Sequence, residues 1–399
     1  MSTLEGKKIV LGVSGGIAAY KAVEVCRRLV DAGAFVSPVL TEDATRFIGE
    51  VTFSALASEP VRTSLWHEPE PIPHTRLGQS ADLIVVAPAT ARVIGKYTAG
   101  ISDDLLTATL LATRAPVLVC PAMHTEMWEH ASVQENLATL RRRGVHVLDP
   151  ETGRLAGGDV GAGRLADPAN IVAAIERVLG PNDMDGMRVL ISAGGTREAI
   201  DTVRVVTNRS SGKQGYALAE VAAARGAQVT LVTTVDRPVP HGVAEVVNVA
   251  SAADMQEAIV PRQDEFDVIV MAAAVADFRP KDPADRKIKK EDGLSEIVLE
   301  PTHDFLVDLG QRKPKGQVLV GFAAETNELR ANALGKLRRK NLDLIVGNDV
   351  SAPGVGFEHD TNEVILLFAD GREQDVPLTD KRNVAAAVWD AVAQIRSSQ

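Results

Sequence analysis

The sequence contains very little cysteine, and this scarcity narrows the class of protein. Its 399 residues include two cysteines, of which Cys26 lies in a helical pattern and Cys120 ends a predicted strand. Two thiols cannot form a disulfide framework, and such a low count is typical of a protein of the reducing cytoplasm. The scattered histidines add no spacing typical of a zinc site. We therefore expect a cytoplasmic chain without structural disulfides or zinc.

The sequence also lacks a long hydrophobic run. Apolar residues make up 45% of the chain, yet stretches such as 82–91 (DLIVVAPATA) are strand-sized. A membrane helix needs about 20 apolar residues in succession. The apolar run at the N-terminus breaks at glycines, which predicts a first strand rather than a signal peptide. The net charge of −10 argues against a protein that coats nucleic acid. We expect neither a membrane nor a nucleic acid as partner.

Two halves of the chain begin with the same pattern. Residues 7–41 and 187–234 each contain a β-branched run, a glycine-rich turn, an alanine-rich amphipathic segment and a second β-branched run. This order is typical of a β-loop-α-β unit and predicts a mostly parallel sheet in each half. Further strands are predicted at 82–88, 116–121, 267–274, 317–324 and 342–348, with a hairpin that starts at 361–369.

A polar segment separates these halves. Residues 180–186 (GPNDMDG) carry proline and glycine, as linkers and turns do. A chain of 399 residues is also too long for one typical core. We therefore predict an α/β protein with two Rossmann-like domains, at residues 1–180 and 186–399.

The stretch 206–215, VTNRSSGKQG, resembles a nucleotide-binding P-loop that lacks some of its residues. Gly212 and Lys213 are in place, but Thr207 stands where the first glycine belongs and Gln214 where the hydroxyl belongs. These differences exclude a P-loop. Neither half pairs a G-x-G-x-x-G loop with an acidic residue about 20 positions later, so a nicotinamide oxidoreductase is not favoured either.

The same stretch fits the start of a helix. Ser210 or Ser211 would be the N-cap, ahead of an alanine-rich body. A cap alone does not need Asn208 together with two serines, a glycine and Lys213. We therefore expect an anion at this helix start as well as a cap.

Three segments of the first half lie next to predicted strands and carry candidate site residues. Ser14, Gly15 and Gly16 precede the first helix and offer backbone N–H groups to an anion, although a simple tight turn fits them equally well. His74 lies in PHTRL just before a strand, and a solvated loop histidine is the plainer interpretation. The pair of acids that precedes Leu105 in SDDLL fits a helix cap.

Together these loops resemble the flavin-containing cysteine decarboxylases, a Rossmann-like, flavodoxin-like trimeric family. The glycine loop, PHTRL, APAT and PAM…MW occur in the family's order over nearly all of residues 6–180. The resemblance implies FMN, bound by loops that often come from different subunits, and it makes His74 the catalytic histidine. The residues that it places near FMN are Ser14, Gly15, Gly16, Thr41, Ala89 and Thr90.

The resemblance also explains why a flavin is needed and where this chain departs from the family. Oxidation of the cysteinyl thiol creates an electron sink for loss of carbon dioxide. Substrate contacts are implied for His124, Met127, Asp159 and Arg164, with His124 where the family usually has an asparagine that grips the carboxylate. The family's flap often carries a cysteine that donates a proton, and Gly157 stands there instead. We interpret this as a variant in which another group or water donates the proton.

Charged segments follow the strands of the second half. Asp277 ends the predicted strand of AAAVADF, and Lys287, Lys289 and Lys290 follow in DRKIKKEDG. A solvated loop is the plainer interpretation of such a run. A cationic flap over a triphosphate is the alternative, because developing charge must be neutralised there.

These segments resemble the phosphopantothenate–cysteine ligase domain. AGGTRE, NRSSGKQG, AAVADF, KIKK, GFAAET and KNLDLIVGND occur in the family's order from about 187 to 395. The resemblance implies that CTP and a divalent cation, Mg²⁺ or Mn²⁺, activate 4′-phosphopantothenate as an acyl cytidylate that cysteine then attacks. Asn208 and Lys287 would be catalytic, and Ser210, Ser211, Gly212 and Lys213 would form a loop that holds a phosphate. Implied CTP contacts are Asp277, Lys287, His303, Asp304, Phe305, Leu306, Phe322, Lys336 and Lys340.

The two resemblances together predict a bifunctional enzyme of coenzyme A biosynthesis. It would ligate cysteine to 4′-phosphopantothenate and then decarboxylate the product. They also imply a homo-oligomer, a dodecamer in which trimers of the first half are joined by dimers of the second. The alternative is an active ligase whose first half is impaired or serves as a regulatory flavoprotein.

Overall fold

The computed structural model divides the chain into two compact units, Met1–Pro181 and Asn182–Gln399. Lys290, the last lysine of the predicted cationic run, lies outside the described residues. The structure describes residues 3–66, 72–289, 296–325, 327–351, 355–356 and 359–398.

The first unit is built on a parallel sheet of five strands in the order β2-β1-β3-β4-β5. Its strands are aliphatic and almost entirely buried, as expected when helices cover both faces. The order is that of flavodoxin-like folds and confirms the predicted class. The strands are β1 Lys8–Val13, β2 Phe35–Leu40, β3 Leu83–Ala89, β4 Val117–Pro121 and β5 His146–Val147, with a hairpin of β6 Glu151–Arg154 and β7 Val160–Arg164.

Helices enclose this sheet on two sides, with a separate apolar core on each face. Cys26 lies in α1 and Cys120 in β4; both are buried free thiols. The helices are α1 Ala19–Asp31, α2 Glu50–Leu56, α3 Pro73–Ser80, α4 Ala91–Ala99, α5 Leu105–Leu111, α6 Thr125–Glu129, α7 Ala131–Arg142 and α8 Pro168–Leu179.

The second unit contains an eight-stranded sheet in the order β12-β11-β8-β13-β16-β17-β18-β19. The first six strands are parallel and the last two form the predicted antiparallel hairpin. The strands are β8 Arg188–Ala193, β9 Arg197–Ala199, β10 Val205–Thr207, β11 Gln228–Thr233, β12 Val243–Asn248, β13 Val268–Met271, β14 Phe278–Pro280, β15 Leu299–Pro301, β16 Val318–Glu325, β17 Leu344–Asp349, β18 Thr361–Phe368 and β19 Glu373–Asp380.

Helices again cover both faces of the sheet, and the longest of them, the last in the chain, packs a tryptophan into the core. Trp389 of α13 is fully buried, and its indole Nε1 donates a hydrogen bond of 2.9 Å to the Leu218 carbonyl. The helices are α9 Lys213–Ala224, α10 Ala252–Ile259, α11 Phe305–Gln311, α12 Leu329–Arg339 and α13 Lys381–Ser397. None of the helices within the described residues is long and apolar enough to cross a bilayer.

Truncation of Trp389 tests this packing. We expect Trp389→Ala to lower the free energy of unfolding of the second unit by about 3–5 kcal/mol, because it leaves a cavity in the core. Trp389→Phe should cost less, since one aromatic ring is kept and the cavity is smaller, although the bond to Leu218 is lost in both variants. Urea unfolding followed by circular dichroism measures both. Equal losses for the two variants would contradict the cavity explanation.

Three local predictions were wrong. Neither Ser210 nor Ser211 caps α9, because the helix begins at Lys213 and its N-cap is Gly212. His74 is not in a loop but in the first turn of α3. Asp277 does not end a strand: β13 stops at Met271, and the residues between lie in a loop.

Candidate active sites

The first candidate site lies where the strand order of the first unit reverses, between β1 and β3. In open α/β sheets, loops that leave the strand ends at such a point form a ligand crevice. Ser14 joins the two loops. Its buried hydroxyl donates to the Pro88 carbonyl at 2.7 Å and accepts from the Thr90 N–H at 3.0 Å. The glycine loop is therefore fixed against the loop that follows β3.

Gly15 permits a close approach that no other residue allows. A Cβ at this position would lie 2.3 Å from the Asp43 Cβ and 2.7 Å from the Asp43 carbonyl carbon. The backbone therefore turns tightly ahead of α1 and leaves space beside it. Such a cradle before a helix is typical of a phosphate site.

That space is a cavity of about 850 Å³. Ligand pockets usually measure about 300–1,000 Å³, so a molecule of the size of FMN fits. Of the predicted site residues, six line it: Gly15, Gly16, Thr90, His124, Met127 and Arg164.

Three other predicted residues support the cavity without lining it, among those described. Thr41 accepts a hydrogen bond from the Ala44 N–H at 3.3 Å. Ala89 is fully buried in β3. Asp159 lies behind His124, at 3.3 Å from its Nε2. These residues shape the site from outside the cavity.

His74 is not among the described residues that line the cavity. It occupies the first turn of α3, after Pro73. Its Nδ1 is buried and finds no hydrogen-bond partner among the described residues. A buried polar atom without a partner is unusual and calls for an explanation.

His124 is held beside the hairpin of β6 and β7. It is the N-cap residue of α6, and the next residue, Thr125, donates from its hydroxyl to the Ala162 carbonyl at 2.8 Å. Its Nδ1 contacts the Glu126 carboxylate and its Nε2 faces Asp159. The Glu126 carboxylate, and then that of Asp159, raises the pKa of the His124 imidazole. The site thus favours an imidazolium.

Sequence reasoning missed several cavity residues that carry charge. Arg92 contacts the Asp43 carboxylate at the rim. Lys21 donates to the Leu165 carbonyl at 3.1 Å, and burial, followed by nearby Arg164, lowers its pKa. Their position in the sequence could have identified them, because Lys21 and Arg92 lie in the first turns of helices that follow strand-end loops.

The second candidate site lies at the corresponding reversal of the second unit, between β8 and β13. Asn208 joins the loops there. Its side-chain amide donates to the Ala274 carbonyl at 3.2 Å and to the Val275 carbonyl at 3.3 Å. The Ala274 N–H in turn donates to the Gly194 carbonyl at 2.8 Å. The stretch VTNRSSGKQG thus meets the end of β13 at the crevice.

Gly212 starts α9 in a conformation that favours glycine. Its φ is +73°, and a Cβ there would lie 2.6 Å from a Val235 methyl. Lys213 is ion-paired with Asp360 at 2.6 Å. A small cavity of about 100 Å³ lies beside this helix start, and its lining includes Ser210, Ser211, Gly212, Lys213, Phe322 and Lys381.

Lys381 was not predicted. Burial, followed by the charge of Lys213, lowers its pKa to about 8. Its Nζ donates to the Gly356 carbonyl at 2.9 Å and to the His359 carbonyl at 2.6 Å. Two cations beside one polar cavity favour an anionic ligand.

A short hairpin brings Asp277 to the predicted HDFL run. β14 pairs antiparallel with β15, and the Thr302 N–H donates to the Asp277 carbonyl at 2.9 Å. The His303 Nε2 lies 2.7 Å from the Asp308 carboxylate, and Phe305 is buried in the core. Leu306 packs against the same core.

The predicted lysines of the following helix reach the same edge of the sheet. The Lys340 Nζ lies 2.8 Å from the Asp304 carboxylate. The Lys336 Nζ lies 2.7 Å from the Glu325 carboxylate, at the end of β16. These pairs link the Lys/Arg cluster to the HDFL run and to the strand that carries Phe322.

The segment that contains Lys287 is held in place by hydrogen bonds of the next residue, Ile288. The Ile288 N–H donates to the buried Asp201 carboxylate at 3.1 Å, and Arg204 donates to the Ile288 carbonyl at 3.2 Å. Lys287 itself is exposed. Asp201 was missed, because a carboxylate that only positions a loop leaves no motif. Within the described ranges, no three His, Cys, Asp or Glu side chains form a metal cluster.

Family models match both units. A model described as "Flavoprotein" matches residues 1–180, and one described as "DNA/pantothenate metabolism flavoprotein C-terminal domain" matches residues 184–395. Together they span nearly the whole chain.

Similar proteins match this chain over nearly their whole length. The coenzyme A biosynthesis bifunctional protein CoaBC of Bacillus subtilis (strain 168) is 47% identical over 398 residues, which cover 98% of each chain. That of Mycobacterium tuberculosis (strain ATCC 25618 / H37Rv) is 49% identical over 403 residues, covering 97% of this chain and 96% of the relative. A solved C-terminal domain of such a protein is 41% identical, with a TM-score of 0.46, and covers 55% of this chain and 100% of the domain. An impaired or purely regulatory first half is not favoured, because the relatives match through both units.

Proposed function

The chain belongs to the family of bifunctional coenzyme A biosynthesis proteins, and from this premise we propose that it performs two successive reactions. Residues 186–399 would ligate cysteine to 4′-phosphopantothenate with CTP. Residues 1–180 would decarboxylate the product to 4′-phosphopantetheine. One observation carries the proposal: in each unit a predicted site residue joins two loops where the strand order reverses, Ser14 to the loop after β3 and Asn208 to the loop after β13. The enzyme would work in the cytoplasm.

In the ligase, the substrate carboxylate attacks the α-phosphate of CTP and releases pyrophosphate. The amine of cysteine then attacks the acyl cytidylate and releases CMP. Asn208, whose amide is already fixed at the end of β13, would hold the acyl cytidylate. Lys287 would neutralise the charge that develops on the phosphates. A divalent cation, Mg²⁺ or Mn²⁺, would enter with the triphosphate as part of the substrate.

The remaining ligase residues would bind the two phosphorylated substrates. Asp277, Lys336 and Lys340 lie with the HDFL run, residues 303–306, along one edge of the sheet and would bind CTP together with Phe322. The loop from Ser210 to Lys213 would hold a phosphate, since Lys213 and Lys381 make this corner positive.

In the decarboxylase, the residues present fit FMN. The Gly15 cradle, the Ser14–Thr90 contact and the cavity of about 850 Å³ suit a flavin with a phosphate. Thr41 and Ala89 would support its ring from outside the cavity. FMN held by these residues would supply two-electron redox chemistry: oxidation of the cysteinyl thiol to a thioaldehyde, which is the electron sink for loss of carbon dioxide, and the later reduction of the product. His124, Met127 and Arg164 would contact the substrate, and Asp159 would orient His124.

His74 would act on the substrate thiol from a second copy of the chain. Its buried, unpartnered Nδ1 leaves one ring nitrogen without a hydrogen bond inside its own unit, among the described residues. A neutral imidazole there can accept the thiol proton near neutral pH. The trimers that the resemblance implies would bring His74 to a neighbouring cavity, and ligase dimers would join these trimers into a dodecamer.

The experiment that tests the proposed function starts with the purified full-length chain. We expect a yellow flavin spectrum, and release of pyrophosphate over many turnovers only when 4′-phosphopantothenate, cysteine and CTP are all present. Without cysteine, release should stop at about one pyrophosphate per active site, because the acyl cytidylate then accumulates. Continued pyrophosphate release without cysteine would contradict the ligase assignment. A colourless protein that took up no FMN would contradict the decarboxylase assignment.

Replacement of Gly15 tests the flavin cradle. We expect Gly15→Ala to weaken FMN binding by at least about tenfold, or about 1.4 kcal/mol, because the new methyl group would push Asp43 away from the cavity. Fluorescence titration of the flavin-free protein measures the affinity. Gly49→Ala is the matched control, since nothing lies within 4 Å of a Cβ at that position. Equal affinity for both variants would contradict the cradle.

A further inference from the structure

We propose that His124 is the proton donor of the decarboxylase: its Nε2–H protonates the substrate carbon that has lost carbon dioxide. This inference rests on the proposed decarboxylation. It gives a second role to a residue whose imidazolium would first contact the substrate carboxylate.

The position of the His124 imidazole supports this role. A Cβ at Gly157, where the resembling family carries a thiol, would lie 3.4 Å from His124 Nε2 and 3.5 Å from Asp159 Oδ2. The His124 ring therefore stands beside the point from which a side chain of residue 157 would start. It reaches the same part of the cavity from α6 instead of from the hairpin.

The chain on both sides of His124 is held in place. The Met123 N–H donates to the Gly163 carbonyl at 2.9 Å, and the Thr125 hydroxyl donates to the Ala162 carbonyl at 2.8 Å. The residues on both sides of His124 are thus fastened to β7. The turn between β6 and β7 is closed by the Leu155 N–H, which donates to the Asp159 carbonyl at 2.8 Å.

The charges around the His124 ring favour its protonated form. Glu126 contacts Nδ1 and Asp159 faces Nε2 of the same ring. The two carboxylates raise the pKa of His124, with Glu126 contributing most. The imidazolium therefore keeps its proton to a higher pH than a free imidazole does, and loses it as the pH rises through that raised pKa. Side-chain exposure of 38% lets water restore the proton after each turnover.

Other acids in the described lining of the cavity serve less well. No cysteine lies there; burial raises the pKa of the Cys26 thiol to about 11 and also raises that of Cys120. Arginines do not release a proton. Lys21 is turned to the Leu165 carbonyl. Tyr20, with Asp43, lies on the glycine-loop side of the lining.

The chemistry balances with this donor. When the bond to the carboxylate breaks, its electron pair stays on the substrate as an enethiolate. The carbon that carried the carboxylate then takes the proton from Nε2 and becomes CH₂, while the neighbouring carbon becomes a thioaldehyde. That carbon then needs the hydride that it lost when the thiol was oxidised, which FMN in its reduced form would supply, and the resulting thiolate takes a proton from water. The His124 imidazolium that held the carboxylate would therefore already lie beside the carbon that needs the proton, because one bond joins the carboxylate to that carbon.

The test uses the full-length enzyme with bound flavin and 4′-phosphopantothenoylcysteine. His124→Asn keeps a side chain that can grip the carboxylate but removes the acid. We expect carbon dioxide release that is slowed yet measurable, a product that lacks two hydrogens, and a flavin that stays reduced. Formation of the thiol product should fall by about 100-fold or more. His124→Asn with Gly157→Cys should restore the thiol product, since a thiol then occupies the same place.

His130→Asn is the matched control, because His130 is an exposed N-cap residue of α7 and asparagine also caps helices. It should form the thiol product like the unaltered enzyme. A second readout needs no turnover: NMR titration should find the His124 imidazole pKa above the usual value of about 6.5.

Three results would overturn the inference while the proposed function stands. They are a thiol product that keeps pace with carbon dioxide in His124→Asn, loss of carbon dioxide and thiol together, and a His124 pKa at or below the usual value. Absence of carbon dioxide from the unaltered enzyme would instead overturn the proposed decarboxylation.

Discussion

His74→Asn abolishes carbon dioxide release and spares pyrophosphate release: this is the result that we expect from the proposed division of labour. The substitution removes a base but keeps a polar side chain of similar size. Loss of a positioned general base costs about 100- to 10,000-fold in rate. The Nδ1 of His74 has no partner in the described part of its unit, so little of the fold depends on it.

Two assays on one preparation check this prediction. Trapped carbon dioxide reports the first unit, and a coupled pyrophosphate assay reports the second. His146→Asn is the matched control, since His146 is exposed at the short strand β5, and it should retain both activities. Loss of both activities in His74→Asn would contradict the assignment of one activity to each unit.

Lys287→Met should have the second large effect. Removal of one preorganised donor to a developing negative charge costs about 100- to 1,000-fold in turnover. The hydrogen bond between the Ile288 N–H and the Asp201 carboxylate positions the segment, so its backbone should keep the same path in the methionine variant. We therefore expect pyrophosphate release to fall by this factor while the decarboxylation of supplied 4′-phosphopantothenoylcysteine continues.

Lys315→Met is the matched control for lost charge. Lys315 is exposed in the turn before β16, at the opposite edge of the sheet from the candidate site. Steady-state kinetics with varied CTP should leave this variant unchanged. If both lysine variants lost activity equally, general electrostatics rather than a contact in the site would explain Lys287.

The architecture could be predicted because its signals are local. Buried parallel strands appear as continuous aliphatic runs, such as 83–89, and glycine turns separate them from amphipathic helices. Sequence could not locate the start of α9, because the N-cap is Gly212, in a left-handed conformation, and not one of the serines before it. Nor could it end β13 at Met271, since the apolar residues that follow suit a strand as well as a loop.

The candidate sites were predicted as far as motifs extend. Asn208 and Asp277 were named from their segments, but their positions depend on contacts between distant residues: the Asn208 amide reaches the Ala274 carbonyl, and β14 pairs with β15. Lys381 and Asp201 were missed because burial gives them their roles. His74 shows the limit most clearly, since we propose that it serves the cavity of another copy of the chain.

The most direct measurement of the central claim follows cysteine labelled at its carboxyl carbon through both units. The full-length enzyme receives this cysteine with 4′-phosphopantothenate, CTP and Mg²⁺, and labelled carbon dioxide and pyrophosphate are counted together. Two reactions in series predict one carbon dioxide for each pyrophosphate once the intermediate reaches a steady state. Pyrophosphate without labelled carbon dioxide would contradict the account.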